Sequence, residues 1–348
     1  MNNEEGRYKL KFLIDSKHGL GDCVQIIPML EIIKENYPDS YLAVIVNNKA
    51  SKELLQLSPV KIDKFYYLDM SKMTMRKFLT LILDLRHQSF DYFILSPITT
   101  KWKAKCFAML TGAKKAIGEQ YRQLNLCVLE HKLHMVERNL NLLSEICRRP
   151  QCELKPRLQL ETTYNNLNIN TKVNKVIGVC IGGGTALFIN NKKVYPKKWS
   201  ISKMKTIIEA FLKREYAVVL LGGKDEIYEL QYLKEILEDP NIYNYVGKTS
   251  IKESARLVQQ CDLLVGVDTG MQHIAAAVGT RTLSIFGPTN PKVFGSYSNE
   301  ASFIEFACDC KYCHGTDMYL LCKERKCLHS ITSDMVLSKV FELLSGVK

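Results

Sequence analysis

The stretch Cys261–Val278, CDLLVGVDTGMQHIAAAV, reads as a strand, a tight turn and a helix in that order. Cys261 to Val267 is a continuous apolar run of strand length. Asp268-Thr269-Gly270 interrupts it, and Met271 to Val278 resumes with apolar residues at helical spacing. An apolar strand fed directly into a helix is the unit from which parallel sheets covered on both faces are built.

Working outward, the same alternation recurs. Thr282 to Phe286 is the next strand. Upstream, Val176 to Ile181 is a strand ending in Gly182-Gly183-Gly184, Ile201 to Lys213 is a helix, and Ala217 to Leu221 is a strand ending in Gly222-Gly223. A polar stretch from Glu161 to Lys175 reads as a linker. Before it runs a second series: strand Lys9 to Asp15, the turn Gly19-Leu20-Gly21, and a helix opened by Asp22 that carries Val24, Ile27, Leu30 and Ile33. Strands Tyr41 to Val46, Phe65 to Leu68 and Asp91 to Leu95 follow, with a helix from Met75 to Arg86. A chain of 348 residues is comfortable for two cores. The expectation is an α/β protein of two Rossmann-like doubly wound domains facing a central cleft. Residues 1–165 form the first domain and 172–330 the second. The segment 331–348 carries a last helix that packs back on the first domain.

The formal net charge of +12 suits nucleic acid, anionic lipid headgroups or phosphorylated substrates, and does not choose among them. It is densest at Lys101, Lys103, Lys105, Lys114, Lys115 and Arg122. No apolar run approaches the roughly 18 residues of a membrane span. Met1 to Arg7 is polar, without a signal-peptide core, so the cytoplasm is the expected address. Twelve cysteines in so large a chain read as reduced thiols, with Cys23, Cys106, Cys127, Cys180 and Cys261 as small core residues. Cys308, Cys310, Cys313, Cys322 and Cys327 crowd the C-terminal part. Cys310 and Cys313 have metal-knuckle spacing, and Cys322 and Cys327 complete a candidate zinc or iron set, with reduced thiols as the alternative. The register of a nucleic-acid zinc module is missing, and no nucleic-acid partner is expected.

In open α/β sheets ligands bind beyond the carboxyl ends of the strands. Asp268, Thr269 and Gly270 lie at such an end, where the first N–H groups of a helix favour phosphate oxygens. His273 sits in the first turn. The plainer alternative is that Asp268 caps the helix and His273 packs. Gly182 to Thr185 and Gly222 to Glu226 are two further glycine turns at strand ends. The dinucleotide fingerprint is absent, since Gly19-Leu20-Gly21 has no third glycine after it, and there is no phosphate-loop G-x-x-x-x-G-K-[ST].

Gly19-Leu20-Gly21-Asp22 followed by Pro28 resembles the N-terminal motif of glycosyltransferase family 9, the ADP-heptose:lipopolysaccharide heptosyltransferases. Asp268 to Ala277, Phe286-Gly287-Pro288-Thr289-Asn290-Pro291, Lys197-Lys198-Trp199, Leu221 to Glu226 and His134 resemble its further elements, in the family's order. The resemblance implies a GT-B fold and an inverting transferase that requires no cofactor for catalysis. The first domain would bind acceptor and the second nucleotide sugar. It implies Asp22 as the base, although Asp22 could equally cap its helix. It places Lys197, Lys198, Thr185, Glu226, Thr249, Asp268, Thr269, Gly270 and His273 on the donor, and Gly21 and Arg122 on the acceptor. The partners implied are a nucleotide sugar, ADP-heptose first, and a glycan or glycolipid acceptor such as lipopolysaccharide inner core, with peripheral contact at the inner face of the cytoplasmic membrane. The alternatives are another nucleotide sugar with a capsule or protein acceptor, and a non-catalytic nucleotide-sugar binder. An insertion-like stretch, Ala186 to Tyr195, separates the glycine turn from Lys197.

Overall fold

The computed structural model describes residues 9–69, 72–99, 101–119, 133–151, 153–161, 173–184, 187–189, 192–310 and 312–346. The chain forms two compact units, Met1–Arg157 and Leu158–Lys348.

In the first unit the elements run β1 (Lys11–Ser16), α1 (Leu20–Gln25), α2 (Ile27–Asn36), β2 (Tyr41–Val46), α3 (Lys49–Leu55), β3 (Lys64–Tyr67), α4 (Met75–Gln88), β4 (Tyr92–Ile94), α5 (Lys101–Thr111), β5 (Lys115–Ile117) and α6 (Met135–Asn141). The strands form one parallel sheet in the order β3-β2-β1-β4-β5. Its central strands are buried along almost their whole length, YLAVIV as a nearly continuous apolar run and KFLIDS through Phe12 to Ile14, with Asp15 and Ser16 buried as polar residues at its carboxyl end. α4 starts at Thr74, whose hydroxyl accepts from the Lys77 N–H.

The second unit runs β6 (Val176–Cys180), a hairpin of β7 (Leu187–Ile189) and β8 (Lys192–Val194), α7 (Ile201–Leu212), β9 (Ala217–Leu221), a 3₁₀ segment (Lys224–Tyr232), β10 (Ile242–Asn244) and α8 (Ile251–Gln259). It continues with β11 (Leu263–Val267), α9 (Gly270–Ala277), β12 (Thr282–Phe286), α10 (Pro291–Phe294), β13 (Ala301–Glu305), α11 (Asp317–Leu321), α12 (Lys326–His329) and α13 (Ser333–Ser345). Its parallel sheet has the order β10-β9-β6-β11-β12-β13. That is the doubly wound order, which reverses between the first strand and the fourth. Strands β9, β11 and β12 are buried at every residue.

The last helix packs on the second unit. Val336 and Val340 of α13 are fully buried in the apolar core of the second unit, with Phe341 edge-on to Phe211 of α7. The cause is the helix's own apolar stripe, which matches that of α7, each large buried side chain contributing about 1.5–3 kcal/mol. α1 also begins earlier than read: Gly19 is its N-cap, and Asp22 lies in its first turn rather than opening it.

Candidate functional site

The second unit gathers its glycine turns at one place, because β6, β9, β11 and β12 are neighbours and parallel, so their carboxyl ends lie on one edge. Gly184, with φ +75°, turns the chain after β6, and a side chain there would meet the Thr269 methyl at 3.4 Å. A Cβ on Gly182 would come within 2.7 Å of the Glu226 carboxylate, and one on Gly183 within 2.7 Å of the Lys198 Cβ. These close approaches bring Gly182 to Gly184, Lys198, Glu226 and Thr269 to the switch point between β6 and β11.

Asp268 ends β11 and is buried. It accepts from the Lys197 ammonium at 2.6 Å and from the Thr289 hydroxyl at 2.6 Å. Burial works to raise its carboxyl pKa, but Lys197, Thr289 and nearby His273 outweigh it and hold the group below the ordinary value. Thr269 is the N-cap of α9, in extended conformation, and its side chain caps no N–H. The first-turn amides, with Gly270 and half-buried Met271 among them, are therefore not taken by a cap. His273 is buried in that first turn.

Trp199, buried, donates its indole N–H to the Ile331 carbonyl at 3.1 Å and so anchors Lys197 and Lys198. Lys198 pairs with buried Glu229 and donates to the Tyr228 hydroxyl at 3.1 Å. Burial lowers the Lys198 pKa, yet the bonds to Glu229 and Tyr228 prevail and raise it. Glu226 accepts from the Gly223 N–H at 2.7 Å, and burial pushes its carboxyl up. Thr249 stands beyond β10, with its hydroxyl 2.7 Å from that of Ser254. Thr185 and Arg122 lie outside the described residues.

In the first unit the sheet order reverses between β1 and β4. Here Asp22 accepts from the Gly19 N–H at 2.8 Å, so its carboxylate does cap its own helix. Gly21 is half-buried beside it. Four residues that sequence reasoning missed surround this turn. Asp15, buried at the end of β1, pairs with Lys17 and accepts from the Thr99 hydroxyl at 3.2 Å. His18 Nε2 lies 3.2 Å from the same hydroxyl. Burial depresses the His18 pKa and Lys17 adds to this, while the carboxylates of Asp15 and Asp22 offset it in part. Burial thus disfavours the imidazolium form of His18, within the field of Asp22. Thr289, Glu229 and Tyr228 were missed in the second unit. Thr289 alone left a signal, since it stands three residues past β12 in the Phe286–Pro291 element quoted above, though without an assigned role.

The zinc or iron set expected at Cys310, Cys313, Cys322 and Cys327 finds no support in the structure. Among the described residues no group of three or more His, Cys, Asp or Glu is arranged to hold a metal ion. A tetrahedral site needs four sulfurs about 2.3 Å from one point. Here Cys327 is buried in the apolar core while Cys310 is exposed, and all four are thiols rather than disulfides. The thiols are still close enough to feel one another, since burial first and then the neighbouring thiols push Cys327 up to about 11. Cys23, Cys180 and Cys261 are buried as expected, but Cys106 is exposed, and Cys127 lies outside the described residues.

The model of glycosyltransferase family 9 (heptosyltransferase) matches residues 78–322. Lipopolysaccharide heptosyltransferase 3 of Escherichia coli is 24% identical over 294 residues, covering 80% of this chain and 84% of its own length. Lipooligosaccharide heptosyltransferase 2 of Campylobacter jejuni is 23% identical over 346 residues, covering 97% of this chain and 99% of its own. The structure of E. coli ADP-heptose lps heptosyltransferase II superposes with a TM-score of 0.72 at 21% identity, covering 97% of this chain and 99% of that one. This likeness shows the fold, two parallel-sheet α/β domains of the GT-B kind.

Proposed function

Because this chain belongs to glycosyltransferase family 9 and is a glycosyltransferase, we propose that it transfers heptose from ADP-heptose to a sugar of a lipopolysaccharide core by an inverting, metal-independent displacement. The observation that carries the reading is the cluster at the β6–β11 switch point. There an uncapped helix start, Thr269 to His273, lies beside Lys197, which pairs with Asp268, itself held by the Thr289 hydroxyl. Such a site suits a diphosphate, and the relatives named for heptose transfer supply the sugar.

In this mechanism Asp22 accepts the proton of an acceptor hydroxyl as its oxygen attacks the anomeric carbon. The bond from that carbon to the diphosphate oxygen breaks, and ADP leaves with the electron pair. Lys197, Lys198 and the α9 amides stabilise the charge that develops on the departing oxygen. Glu226 and Thr249 contact the sugar and adenine side of the donor. His18, whose imidazolium form burial disfavours, can hold the acceptor hydroxyl in line beside Asp22. Arg122 and Gly21 remain assigned to the acceptor.

Replacing Asp22 with Asn tests the base. Transfer falls by about 10²–10⁴-fold, while ADP raises the melting temperature as in the parent. Unchanged turnover removes Asp22 from this role. A thermal-shift panel of ADP-heptose with GDP-, UDP- and CMP-sugars tests the donor, and stabilisation by a non-ADP sugar alone overturns the heptose assignment.

A further inference from the structure

The cysteines of the second unit differ sharply in what they can react with. Cys180 and Cys261 are buried, and burial raises both thiols, Cys261 to about 12. Only the thiolate attacks, so thiols held in this way are inert. Beyond β13 the situation changes. Cys310 is exposed, and its sulfur lies 3.6 Å from that of Cys308. Cys308 is half-buried and packs against the core of the second unit, so it is the fixed member of the pair and Cys310 the movable one.

The segment that carries these thiols is tied at two points to the loops of the switch-point cluster. The His314 N–H donates to the Pro288 carbonyl at 3.0 Å, and Pro288 precedes Thr289, whose hydroxyl holds Asp268. The Arg325 guanidinium donates to the Pro196 carbonyl at 2.9 Å, and Pro196 precedes Lys197. Arg325 stands in the left-handed region, with φ +46°, and its own N–H donates to the Cys322 sulfur at 3.3 Å. A movement of the thiol segment is therefore passed to the groups that hold Asp268 and Lys197.

We propose that Cys308 and Cys310 form an oxidation site, at which a hydroperoxide makes a disulfide that slackens the Thr289 loop and weakens nucleotide binding. With hydrogen peroxide, the Cys310 thiolate attacks one oxygen. The S–O bond forms and the O–O bond breaks. The hydroxide that leaves takes up the proton Cys310 has released, and departs as water. The Cys308 sulfur then attacks the sulfenic sulfur. The S–S bond forms, the S–O bond breaks, and the second hydroxide leaves with the Cys308 proton as water. Two thiols are oxidised and one peroxide is reduced to two waters. To bond, the sulfurs close from 3.6 Å to about 2.05 Å. Cys310 travels, and His314, four residues further on, is drawn with it, so its bond to Pro288 is strained. A disulfide across one intervening residue closes a very short loop and is exposed, so it gains little from chain entropy and is readily reduced again. The effect on nucleotide rests on the donor-site reading; the oxidation itself does not.

The full chain, reduced and freed of reductant, is treated with a small excess of hydrogen peroxide. Peptide mass spectrometry is expected to show the loss of two hydrogens from the peptide holding Cys308 and Cys310, reversed by dithiothreitol. Amide hydrogen exchange in residues 286–291 is expected to quicken in the oxidised chain. ADP is expected to bind it about five-fold more weakly, the worth of one hydrogen bond. Cys310→Ser removes all three responses. Its side chain is exposed, so the reduced variant melts and binds ADP as the parent does. Cys106→Ser, at the exposed thiol of the first unit, keeps all three responses. Sulfinic acid at Cys310 without a disulfide, a disulfide between Cys313 and Cys322 instead, or exchange that oxidation leaves unchanged overturns the proposal. So does ADP bound equally by the reduced and oxidised chains, or zinc or iron retained by the purified chain in one-to-one amount. If the reduced chain binds no ADP while the disulfide and the faster exchange appear, the donor-site reading falls and the oxidation site stands.

Discussion

Lys197 is the side chain whose loss exposes the logic of the switch-point cluster. Its ammonium sits 2.6 Å from the Asp268 carboxylate, with the lysine side chain 24% exposed and that of the aspartate 7%. Replacing it with methionine keeps most of the volume and removes the charge. Asp268 is then a buried carboxylate held by one hydroxyl, from Thr289, and by nearby His273. Breaking a fully buried pair costs about 3–5 kcal/mol. Water reaching the partly exposed lysine end reduces this, and about 2–3 kcal/mol is the expected loss. For a unit of this size that is a fall in melting temperature of roughly 5–10 °C. The pH dependence is the sharper test. In the parent the Asp268 pKa is held below its ordinary value, so its contribution to stability is present above the unfolded pKa and is lost only as pH falls through the lower folded one. In Lys197→Met the carboxyl is raised by burial without a counter-charge. The deficit against the parent is therefore largest near neutrality and shrinks as pH falls towards 5. Adding Asp268→Asn should recover part of the loss. The assay is thermal unfolding of parent, single and double variants between pH 5 and 8. A deficit of less than about 0.5 kcal/mol, or one that does not change with pH, refutes the account of Lys197 as the charge that makes Asp268 tolerable.

Two further outcomes are expected. Gly183→Ala sets a methyl 2.7 Å from the Lys198 Cβ and 3.2 Å from its backbone, which should cost about 1–3 kcal/mol and weaken the stabilisation by ADP, as read by calorimetry and nucleotide titration. An alanine variant that melts and binds as the parent does would show that the turn can move aside. His18 has a pKa depressed by burial, so its contribution to stability is full above the unfolded value near 6.5 and is lost as pH falls below it. His18→Asn should flatten the stability profile between pH 7 and 5, and an unchanged slope would assign that slope to other groups.

Much of this was legible in the chain because the central strands of a sheet covered on both faces must be apolar at every position. Strands β1, β2, β6, β9, β11 and β12 therefore appear in the sequence as short apolar runs, close to their structural limits. The glycine turns after them were legible for a related reason: Gly184 adopts a positive φ, and Gly182 and Gly183 are approached too closely to carry a side chain. Of the edge strands only β3 was legible. β10 and β13 are only half-buried, and a strand with one side open has no need of a continuous apolar run. α5 was read only as a basic stretch, because its outward face is not polar and the helical pattern is blurred.

The sequence by itself determined the parallel α/β class and which strand ends carry glycine, carboxylate and hydroxyl. The tertiary structure decided what those groups meet. Lys197 and Asp268 are 71 residues apart and Asp15 and Thr99 are 84 apart, and no local pattern records such a pairing. Only a sheet order that sets β6 beside β11, and β1 beside β4, brings them into hydrogen-bond range. The same holds for the cysteines. Their spacing suggested a common ligand, but spacing fixes separation along the chain and not depth, and packing buried Cys327 in the core while leaving Cys310 at the surface.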